Sequence, residues 1–147
     1  MASWLVEARE ALDAVEDALD HLYAARDVLH SARNWSLFDI LGGAGISTYV
    51  KRSKMRDAQQ ELRAAEDAIR KLSEELRDVE GIDGMLNTSE FLTFADYFLD
   101  NAFMDMFVHQ QIAETQAAVW RAIDACEELR GRLNDLLEKG RRPGLDA

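Results

Sequence analysis

The chain has 147 residues, of which 48% are hydrophobic and 31% charged, with a single proline, a single cysteine and a formal net charge of −11. This length suits one domain, 1–147, that can bury a core without disulfides or a structural metal, and the composition is that of a folding chain. The negative charge disfavours nucleic acid as a partner, the lone Cys126 leaves no internal disulfide or zinc motif, and no run of ~18 apolar residues marks a transmembrane segment.

From the N-terminus, Trp4 and Leu5 run into charge at Glu7 without the basic and apolar regions of a secretory signal, so a cytoplasmic location is expected. Seam positions then recur three and four apart at Leu5, Ala8, Leu12, Val15, Leu19, Leu22, Arg26 and Leu29. All but Arg26 are apolar, which predicts a long amphipathic helix. The alternation returns at Met55, Ala58, Leu62, Ala65, Ile69, Leu72, Leu76 and Val79, and again at Ile112, Thr115, Val119, Ala122, Cys126, Leu129, Leu133 and Leu136.

These three seams, 5–29, 55–79 and 112–136, are equal in length. At ~1.5 Å per residue each runs roughly 36 Å, so they can lie side by side. The expected fold is all-α: an antiparallel bundle of three long amphipathic helices plus a short apolar helix before the last. Coiled-coil pairing between chains is the competing use of the same periodicity, and the breaks after Leu29 and Val79 favour hairpins within one chain. Residues 3–32 carry seven acids against two bases, whereas 51–80 carry eight of each, which favours laying the first helix beside the second.

The connecting segments are unusually apolar. Asn34 to Tyr49 holds one charge, Asp39, and its glycines suit a turn and a helix start, with the second helix expected from Ala44 or Gly45 to Val79. Gly81 and Gly84 then mark a turn, and Ser89–Leu99 reads as the short helix, rich in aromatics. Asp100-Asn101 interrupts the apolar run and suits the cap of a last helix reaching Lys139, with 140–147 a frayed tail.

Each candidate site has a bland competitor. Gly43, Gly45 and Ser47, with Lys51 and Arg52 nearby, place backbone N–H groups at a helix start where an anion could bind. A phosphate-binding loop needs Lys followed by Ser or Thr after its last glycine, and Ile46 stands there instead, so a turn is the favoured reading. Asp96 and Asp100, four apart, with Asp39, Asp105 and His109, are weak candidates for a divalent metal, and pairing with Lys51, Arg52 or Lys54 is the favoured alternative.

Di-metal bundles need Glu-x-x-His on two helices, and only Asp27-x-x-His30 comes near that pattern. Cys126 occupies a seam, where a thiol is usually core. No cofactor or catalytic residue is assigned. Trp35, Phe38 and Tyr49 with Phe91, Phe94, Tyr97 and Phe98 are the aromatic candidates for an interface, against the bland reading of a bundle-end cap.

The pattern Trp35, Asp39, Leu41-Gly42-Gly43, Gly45-Ile46-Ser47, Lys51, Ser53, followed later by Phe94-Ala95-Asp96-Tyr97-Phe98 and Asp100, resembles an uncharacterised bacterial family of helical proteins. The likeness covers both connecting segments and less of the seams. It departs at Arg52, where the family pattern has histidine between Lys and Ser. The resemblance implies an all-helical fold and a special role for the two apolar segments, with no reaction attached.

The expected function is therefore a non-enzymatic interaction or scaffolding bundle, self-associating through 34–50 and 89–108 or binding a protein partner. The alternative is a bundle that binds a small ligand or a divalent metal through Asp39, Asp96 and Asp100. An enzyme ranks third.

Overall fold

The computed structural model describes the backbone of residues 3–40, 46–78, 88–100 and 112–141, and the side chains of residues 4–30, 56–77, 88–100 and 113–140. The described residues form four helices and no strand: α1 (Ser3–Ile40), α2 (Ile46–Asp78), α3 (Ser89–Asp100) and α4 (Ile112–Arg141). None of them is long and apolar enough to cross a membrane.

Among the described residues α1 packs mainly against α2 and α4, and α3 packs against the same two. Early residues of α1 meet late residues of α4, with Trp4 and Leu5 at Gly140, while Arg26 meets Trp120. Along α1 and α2, His21 meets Glu61.

Because α1 touches two long helices, it must bury more than one stripe. Ala8, Val15, Leu19, Leu22 and Leu29 of the seam are buried, and so are Ala11, Ala18 and Ala25 beside them. These alanines leave room for the backbones of two partners to approach closely. Arg26 keeps part of its side chain exposed, as a seam charge must.

In α2 the seam residues Ala58, Leu62, Ala65, Ile69, Leu72 and Leu76 are buried. Ser73 is buried beside them and turns its hydroxyl back onto the Ile69 carbonyl at 2.9 Å, which satisfies it inside the helix. In α4, Thr115, Val119, Ala122, Cys126, Leu129 and Leu133 are buried, but the last buried position is Leu137, and Leu136 is only partly covered. A straight helix of 3.6 residues per turn drifts ~20° per heptad, which carries the buried face one residue past the seam.

Three boundaries differ from the sequence expectation. Helix α1 continues through Asn34 to Ile40, well into the segment read as a connection. Helix α3 reaches Asp100. Helix α4 extends to Arg141, and Gly140 belongs to it instead of to a frayed tail.

The physical reason for the last difference is packing. A Cβ on Gly140 would stand 2.6 Å from Leu5 Cδ2 and 2.7 Å from Trp4 Cη2, so the two ends meet where only glycine fits without displacement. Thr88 precedes α3 as its cap, its carbonyl accepting the Leu92 amide at 2.9 Å.

Candidate functional site

Helix α3 carries four of the aromatic candidates, and its periodicity sorts them. Phe91 and Phe98 are seven apart on the face that packs on α2 and α4, and both are buried with Ala95 between them. Phe94 is partly buried, stacks on Phe98 with centroids 5.4 Å apart and tilts against Phe91 at 6.0 Å. These three rings pack α3 onto the apolar core. Tyr97 points the other way and is 64% exposed.

Asp96 and Asp100 are both exposed. The Asp96 carboxylate pairs with Arg77 of α2, the bland use of a candidate metal ligand. A second pair spans α3 and α4, where Arg132 lies 3.5 Å from Glu90 and 2.7 Å from Glu128. These three residues ring a small pocket of about 130 Å³ floored by Phe91, Phe94 and Leu129. Among the described residues no group of three or more metal-ligating side chains converges. Gly43, Gly45, Asp105 and His109, and the side chains of Trp35, Phe38, Asp39, Ser47, Tyr49 and Lys51, lie outside what the structure describes.

The α1–α4 face holds an arrangement that the seam pattern did not single out. Trp120 follows the seam residue Val119, and so leaves the buried stripe and is 51% exposed. The Arg26 guanidinium lies over its ring at 5.6 Å and over the Tyr23 ring at 5.0 Å, while Arg26 Nε donates to Asp27 Oδ1 at 3.1 Å. A cation over a ring face is attracted to it, and Arg26 makes that contact with both rings. Beside it runs a groove of about 540 Å³ lined by Arg26, Asp27, His30, Gln116 and Trp120. The available signal was a tryptophan placed just off an apolar stripe.

The α1–α2 face is acidic. Glu10, Asp13 and Asp17 of α1 and Lys71 and Glu75 of α2 line a groove of about 430 Å³. Farther along, His21 Nδ1 lies 3.2 Å from Glu61 and its Nε2 lies 3.8 Å from Asp17, which ties the two helices at the surface. Cys126 is buried, and burial with the adjacent Glu127 charge pushes its thiol up to about 12, far from a reactive thiolate.

Comparison with protein-family models, with curated proteins and with solved structures finds no match.

Proposed function

We propose that this chain is a non-enzymatic interaction or scaffolding module, an antiparallel bundle that associates with itself through surface aromatic side chains. The opposed order of the Leu5–Gly140 and Arg26–Trp120 contacts, and of His21–Glu61 with the Asp13–Glu75 groove, supports the antiparallel reading. The observation that carries the function is Trp120, half exposed and braced by Arg26 on the rim of a groove. Tryptophan, tyrosine and arginine are the side chains that dominate binding energy at protein interfaces, and a ring already held in place loses little freedom on binding.

Tyr97 adds an exposed ring within 89–108, one of the two segments through which self-association is expected. With Phe91 and Phe98 committed to the core, the outer surface of α3 offers Tyr97 rather than the whole aromatic run.

Native mass spectrometry of the wild-type chain and the Trp120→Ala and Tyr97→Ala variants tests this reading. A multimer in the wild type that falls toward monomer in at least one variant, with helicity unchanged, is the expected result. A wild-type monomer, or a multimer indifferent to both substitutions, refutes it.

A further inference from the structure

Away from the aromatic surface, Glu75 of α2 has no part in the proposed association. Its Oε2 is buried and has no hydrogen-bond partner. The groove it lines brings Glu10, Asp13 and Asp17 from α1, with Lys71 one turn back on its own helix as the single cation. Among the described residues, no charged group of α3 or α4 lines it. An ionised Glu75 leaves Oε2 with neither water nor a donor and faces the α1 acids with only Lys71 to offset them, whereas the protonated form lessens both costs.

We propose that Glu75 takes up a proton where α1 and α2 close on each other, so that this helix contact tightens on acidification and loosens toward neutral pH. The direction of its titration agrees. Burial first and the Glu10 charge next raise its pKa above the ordinary 4.5, Lys71 opposes them, and Asp13 adds to the rise.

A carboxyl whose folded pKa lies above its unfolded one contributes stability that is fully present below 4.5 and is lost as pH rises through the folded value. The groove thus works against α1–α2 closure at neutral pH and ceases to do so in acid.

Thermal unfolding of the whole chain, wild type against Glu75→Gln, from mildly acidic to slightly alkaline pH tests the proposal. The melting temperature of Glu75→Gln minus that of wild type should grow as pH rises through the Glu75 titration. In an Asp13→Asn background this growth should be smaller. A difference that stays constant with pH assigns Glu75 a purely structural role and overturns the proposal. Should Glu75→Gln fail to fold, the NMR titration of the Glu75 side chain in the wild type decides. A midpoint above 4.5 supports the proposal, and one at or below 4.5 ends it.

Discussion

Cys126 and Gly131 show how position on α4 decides what a side chain can do. Cys126 lies on the buried face with its thiol held protonated, so native protein should resist thiol reagents and label only on unfolding. Labelling as fast in buffer as in denaturant would contradict its placement. Five residues on, Gly131 is exposed, with nothing within 4 Å of an added Cβ. There glycine only adds freedom to the unfolded chain, and Gly131→Ala should stabilise by about 0.5 to 1 kcal/mol in denaturant melts. Gly140 behaves oppositely, because its missing side chain admits Trp4 and Leu5. Gly140→Leu should lower the melting temperature by separating the ends of α1 and α4.

At the scale of elements, α3 is held by two unlike kinds of contact, and magnitudes separate them. The Arg77–Asp96 pair joins side chains that are 50% and 62% exposed, so Arg77→Ala should cost at most about 1 kcal/mol in a melt. Phe98 is 4% exposed, and Phe98→Ala should cost roughly 3 to 5 kcal/mol and speed amide exchange in α3 before the long helices open. Equal costs would mean that charge, not ring packing, docks α3.

Periodicity made the three long helices and the short one legible, because a stripe repeating every three or four residues has few other uses. What it concealed was the number of partners per helix. Ala11, Ala18 and Ala25 are too small to register in a seam of leucines, yet they are buried because α1 has two long neighbours.

The helical stretch from Asn34 to Ile40 was masked by its apolar, glycine-flanked sequence. Trp120 was legible in principle as a large ring off the stripe. The isolation of Glu75 Oε2 was not, since it depends on which α1 carboxylates come to face it.

At the scale of the molecule, the buried apolar side chains of the described residues close into one cluster running from Ala8 to Leu137, and the large apolar side chains exposed among the described residues are Val6, Tyr97 and Trp120. A net charge of −11 resists non-specific association, so the proposed self-association calls for a defined patch and should strengthen with salt as repulsion is screened. Sedimentation velocity of the wild-type chain over a concentration series, at low and moderate salt, tests whether the bundle self-associates. A species at a whole multiple of 16.6 kDa that grows with concentration and with salt is the expected result. A single 16.6 kDa species under every condition would contradict it.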